Sequence, residues 1–218
     1  MSYKNNILSP EIVKNHFLRD DGKYLFARWA RPIAPVAFGV DDQSLACLKR
    51  VLEAVVGRVG LEIIDTDPEL GSNMIFFFFE DWEELIDVPH LHRLVPDLIR
   101  LKEKLASKEA NQYRLFRFDA FGAIKACFIF CKMDYHLRAV SAETLFLSQV
   151  VQSILLWSDR AFQAQSPLVV LDDGDTILRP EIADLIKVAY TPELPAYAES
   201  SSHSLRLFAR IKTQLDLS

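Results

Sequence analysis

Met74-Ile75-Phe76-Phe77-Phe78-Phe79 is an unbroken run of six apolar residues, preceded by Ser72 and Asn73 and followed by Glu80 and Asp81. Six such residues bounded by turn signals predict a strand buried on both faces. Upstream, Pro35 to Val40 reads as a strand near a sheet edge, because proline has no N–H for a central ladder. Between the two, Leu45, Leu48, Val51, Leu52, Val55 and Val56 recur at helical spacing. The spacing predicts a helix over Asp41 to Arg58, with Asp41 or Asp42 as its cap. Strand, helix, strand is the order of an α/β lobe.

Downstream, Glu80 to Asp87 holds five acids, which suit the positive end of a helix dipole and a solvated face. Leu91 to Leu105 continues as helix, broken or restarted at Pro96. Tyr113 to Phe118 and Ala123 to Met133 read as two strands around a turn near Asp119 to Gly122. Ser141 to Trp157 is a second strong helix, with Ser141 as N-cap and Val140 able to staple it. Ser166 to Asp175 is a loop or short strand, and Pro180 opens a helix that runs to Tyr190. At the N-terminus, Ser9 and Pro10 start a short helix that runs to Arg19. The tail places Leu205, Phe208, Ile211 and Leu215 at amphipathic spacing. Together these segments predict an α+β chain with a mixed sheet, a central buried helix and a smaller irregular C-terminal lobe. One domain over 1–218 is expected, with lobes near 24–160 and 161–218.

The composition narrows the class. The chain has 218 residues, 25 Lys and Arg against 30 Asp and Glu, and a net charge of −5. That balance argues against a nucleic-acid partner, which needs clustered cations. Seven glycines and ten prolines exclude collagen-like and linker-rich chains. The apolar run nearest a membrane length, Leu145 to Trp157, is short of the roughly 20 residues of a span. Ser148, Gln149, Gln152 and Ser153 also interrupt it, so no membrane association is expected. No apolar stretch follows Met1 to Asn6, so no secretory signal is read, and Met1 suggests a complete chain. Cys127 and Cys131, on one strand, would lie ~13 Å apart, too far for a disulfide. Buried free thiols in a reducing cytoplasm are the expectation.

Asp172-Asp173-Gly174-Asp175 is followed by Leu178-Arg179-Pro180, and then by Asp184 and Leu185 on a helix closing at Tyr190-Thr191-Pro192. In that order these motifs make Cys127 to Leu194 resemble the second half of a family of uncharacterised bacterial zincin-like proteins, relatives in fold of zinc metallopeptidases. Further forward, Arg28-Trp29-Ala30-Arg31-Pro32 and Ser72-Asn73-Met74-Ile75 resemble the family's first two strands. The resemblance covers roughly residues 24 to 196 and rests on the order of its motifs. It implies a zincin-like fold with the helix from Ser141 at its centre. In an active zincin that helix carries His-Glu-x-x-His, whose two imidazoles at i and i+4 share a zinc and whose Glu is the general base. Here those positions are Ser148, Gln149 and Gln152. Ser and neutral Gln are poor zinc ligands, and an amide cannot usefully take a proton at pH 7. The resemblance therefore implies the fold without the chemistry: no catalytic residues, no metal and no cofactor.

Ser148, Gln149 and Gln152 are the candidate binding residues. On a buried helix they require hydrogen-bond partners, in a core network or around a residual pocket. The expected function is a catalytically inactive binding or interaction module with a protein or peptide partner. A rival is a hydrolase using His90, His92 and an acid from Asp172 to Asp175. Another is a self-associating structural protein, resting on the tail from Ser204 to Leu217. Asp172, Asp173 and Asp175 lack the remaining ligands of a calcium loop. Cys127 with His136 would need the fold to bring them together. His16, His136 and His203 have no partner at ligand spacing.

Overall fold

In the computed structural model, which describes residues 8–216, all six residues of the apolar run are buried. They form β3 (Met74–Phe79) of a four-stranded mixed sheet. Its neighbours are β2 (Pro35–Phe38) and β5 (Ile124–Lys132), both parallel to it. β4 (Gln112–Phe118) runs antiparallel to β5, giving the order β2-β3-β5-β4. Pro35 sits on the edge strand, where its missing N–H costs no ladder bond.

The odd and even residues of β3 face different layers. Met74, Phe76 and Phe78 join a core with α2 (Asp42–Arg58) and α7 (Ala142–Ile154). Ile75, Phe77 and Phe79 join another with α3 (Glu84–Asp87), α4 (Leu91–Leu94) and α5 (Leu98–Ser107). A strand apolar at every position is thus explained by helices on both faces. The α2 cap is Asp41, whose side chain accepts from the Ser44 N–H.

Asn73 fixes the entry to β3. Its Oδ1 accepts from the Ala34 N–H at 2.8 Å, and its Nδ2 donates to the Pro32 carbonyl at 2.9 Å and to Asp67 at 3.0 Å. Gly39, just beyond β2, has φ +78°, and a Cβ there would stand 2.1 Å from the Phe78 carbonyl oxygen. Only glycine fits that approach.

The remaining elements are α1 (Pro10–Asn15), β1 (Phe26–Ala27), α6 (Tyr135–Arg138), β6 (Leu168–Val170), β7 (Thr176–Leu178), α8 (Pro180–Ala189), β8 (Tyr197–Ala198) and α9 (Ser202–Asp216). β1 pairs with β8, and β6 with β7. Residues beyond 160 contribute Ile182, Leu185, Leu207 and Ile211 to the core that contains α2 and α7, so the C-terminal elements share that core.

Several boundaries differ from the sequence expectations. The first helix ends at Asn15, not Arg19, because residues 16–25 form a turn closed by Leu25 N–H donating to the Phe17 carbonyl. The break expected at Pro96 is present, dividing the helix expected over 91–105 into α4 and α5. Asp97, following Pro96, has φ +54° and separates the two, while His90, following Pro89, has φ +61° just ahead of α4. α7 stops at Ile154, three residues before Trp157. Leu155 turns extended to bridge Arg28, and the Leu156 N–H donates to Ala27. In α9 the buried stripe is Leu207 and Ile211, while Leu205 is 56% exposed. α1 and α8 cover that stripe, which accounts for the tail's amphipathy within the chain. Leu217 lies outside the described residues. No helix among the described residues is long and apolar enough to cross a membrane.

Candidate binding cleft

α7 packs against α2 and the sheet, capped by Ser141, whose side chain accepts from the Thr144 N–H. Ser148 and Gln152 are half-buried and lie on one face, the Gln152 Nε2 donating to the Ser148 Oγ at 2.8 Å. Gln149 is fully buried and points elsewhere, toward β4. Its Oε1 accepts from the Arg114 Nη2 at 2.5 Å, and its Nε2 donates to the Gln112 Oε1 at 2.7 Å. The same Gln112 oxygen also accepts from the Arg114 Nη2 at 3.3 Å. The structure therefore brings Ser148 and Gln152 together and sends Gln149 into a three-residue network.

Strand alternation places Arg114 there. Gln112, Arg114 and Phe116 stand opposite Cys131, Ile129 and Cys127 of β5. Those three β5 residues belong to the core on the α7 side. Both hydrogen bonds of the Arg114 guanidinium leave through Nη2, and its Nε is buried without a partner. Among the described residues no carboxylate lies within ion-pair distance of it. Cys127 and Cys131 are buried free thiols, as expected, and burial pushes each pKa up to about 12. They stay protonated at neutral pH and cannot act as counterions. Burial also lowers the Arg114 pKa, but a guanidinium starts so high that it remains a cation.

Arg114 lines a cleft of about 580 Å³ between β4 and the segment that follows α7. Gln112, Gln152 and Ser158 add polar groups, and Phe116, Trp157 and Phe162 form apolar walls. A second cation, Arg19, also lines it. Its Nη1 donates to the Trp157 carbonyl at 2.7 Å and its Nη2 to Leu156 at 3.3 Å, while its Nε is buried and unpaired. Burial lowers the Arg19 pKa, opposed by Asp159 and Asp21. Asp159 is exposed and also lines the cleft. The volume and the mixture of apolar walls with a few convergent polar groups suit a ligand site.

A larger cavity, about 810 Å³, lies between α2, α7, α8 and the β6–β7 hairpin. Its charged groups, Arg50, Arg58, Lys187, Glu143 and Asp184, include both signs. None carries a buried unpaired atom. Burial raises the Asp184 pKa, with Lys187 opposing. Asp184 and Gln152 thus line different cavities.

The other sequence candidates do not converge. His90 and His92 are exposed at α4, their ring centroids 6.5 Å apart, in the layer opposite α7. Asp172, Asp173 and Asp175 are exposed at the β6–β7 turn, where Asp173 accepts from the Asp175 N–H. Among the described residues no three His, Cys, Asp or Glu side chains are grouped to hold a metal. Cys127 is sealed in the core while His136 is exposed on α6. His16 packs against Trp157 and Phe162, and His203 bonds the Tyr24 hydroxyl at 2.9 Å.

Sequence reasoning missed Arg114, Gln112 and Arg19. One signal was available: Gln112 and Arg114 share a strand face with Phe116, and two polar residues at inward positions need a polar partner across the core. Arg19 gave no signal, because it acts on carbonyls nearly 140 positions away. Comparison with protein-family models, curated proteins and solved structures finds no match.

Proposed function

We propose that the chain is a catalytically inactive, zincin-like domain that works as a binding module, with the cleft beside β4 and α7 as its ligand site. The observation that carries this is the half-buried Arg114, whose Nε is sealed without an acceptor and which has no carboxylate partner among the described residues, beside an open cleft. Partly desolvating a cation with no counterion is unfavourable in a purely structural role, and a ligand that answers the charge offsets that cost. The zincin-like assignment is supported by α7, a buried helix on a mixed sheet, and by Ser148 and Gln152 sharing a face at the spacing of a metal pair. The inactive character is supported by Gln149. The amide at the general-base position is engaged by Arg114 and Gln112 and offers no basic site to take up a proton at neutral pH. The partner is a protein or peptide segment, or a small molecule, that presents a group to this cleft.

Saturation-transfer NMR on the full chain, with short peptides and small aromatic compounds, tests the proposal. Binding should be lost in Gln152→Trp, which fills the cleft from a half-buried position. Cleavage of a bound peptide would overturn the inactive character, and binding indifferent to Gln152→Trp would overturn the location.

A further inference from the structure

We propose that the cleft receives a single carboxylate carried on an apolar body, with Arg114 as the group that pairs with it. This inference rests on the cleft being the binding site.

Three observations point to that ligand. First, Arg114 brings a positive charge inside the fold, and everything that bonds it is neutral. Gln149 and Gln112 supply amide oxygens, and the flanking thiols are protonated. Amides satisfy the geometry of one nitrogen and leave the charge unanswered. Second, the two cations of the cleft, Arg19 and Arg114, each keep a buried Nε with no acceptor. A guanidinium is a planar fork whose geometry matches a carboxylate, and charge-assisted pairs of this kind are the strong ones. Third, the charges lining the cleft are Arg19, Arg114 and Asp159. Asp159, with Asp21 close by, answers Arg19, so Arg114 is the one cation left to be answered, which suits a monoanion better than a phosphate dianion. The rest of the ligand meets Leu25, Phe116, Phe118, Leu156, Trp157 and Phe162. Those walls call for an aromatic or aliphatic body.

A free carboxylic acid and the C-terminus of a peptide ending in an apolar residue present the same chemistry. The test separates them. Isothermal titration of the full chain uses 3-phenylpropionate and N-acetyl-Gly-Gly-Phe, each as the free acid and as its amide. The acid should bind at least tenfold more tightly than the amide. A preference for 3-phenylpropionate identifies a small acid, and a preference for the tripeptide a peptide C-terminus. Gln149→Glu, a near-isosteric change that hands Arg114 an internal carboxylate, should weaken the acid at least tenfold and shrink its advantage over the amide. Asp159→Asn, at an exposed position where folding is not at risk, should tighten the acid severalfold. Equal binding of acid and amide in the cleft would overturn the carboxylate and leave the binding module standing. Failure of all four compounds to bind would overturn both.

Discussion

Gln149→Leu removes the side chain that ties α7 to β4, and its cost follows from two hydrogen bonds. The first, from the Arg114 Nη2 at 2.5 Å, has a charged donor, and such bonds contribute ~1.5–3 kcal/mol. The second, to the Gln112 Oε1 at 2.7 Å, is neutral and contributes ~0.5–1.5 kcal/mol. Gln112 still accepts from Arg114 at 3.3 Å in the variant, which softens the first loss. Leucine adds apolar burial at a fully buried position, returning on the order of 1 kcal/mol. The expected net loss is ~1–3 kcal/mol. Urea denaturation of both proteins, compared at equal slope, measures it. A neutral or stabilising result would mean that Arg114 does not depend on Gln149, and the network reasoning would fail.

Gly39→Ala should destabilise by ~1–3 kcal/mol, read from the urea midpoint, because its φ of +78° and the Phe78 carbonyl both exclude a Cβ. Stability should fall as pH drops from about 6.5 to about 4. His16 and His203 are held near pKa 4, mainly by burial, so in that window the unfolded chain takes up protons that the folded chain refuses. Urea midpoints at pH 7, 5.5 and 4.5 should show the decline, and His16→Gln should flatten it. Ser148→His with Gln152→His puts two imidazoles on one face. The pair should bind zinc only weakly, because two imidazoles fall short of the three protein ligands of even an open zinc site and nothing orients the rings. Competition against a chromophoric chelator measures that affinity.

The elements most legible in the sequence were those whose burial is decided locally. Met74 to Phe79, apolar throughout, could only be a strand covered on both sides, and α2 carried its own period and cap. Boundaries were lost where distant partners intervene, as where Leu155 and Leu156 leave α7 to meet Arg28 and Ala27. The tail's period was visible but its phase was not, because α1 and α8 choose which face to cover. At the site, a polar cluster on α7 was readable as a group requiring partners. That Arg114 answers Gln149 depends on which strand lies beside the helix, and strand order is not written in any local pattern.

The central claim, a ligand cleft built around Arg114, is tested most directly by the arginine Nε–H resonances of the ¹⁵N-labelled chain, with Arg114 assigned by Arg114→Lys and 3-phenylpropionate added. The account predicts saturable shifts at Arg114 and Arg19, whose Nε atoms are buried and unpaired at the cleft. Arg50 and Arg58, which line the other cavity, should stay still. Shifts at Arg50 and Arg58 with none at Arg114 would contradict it.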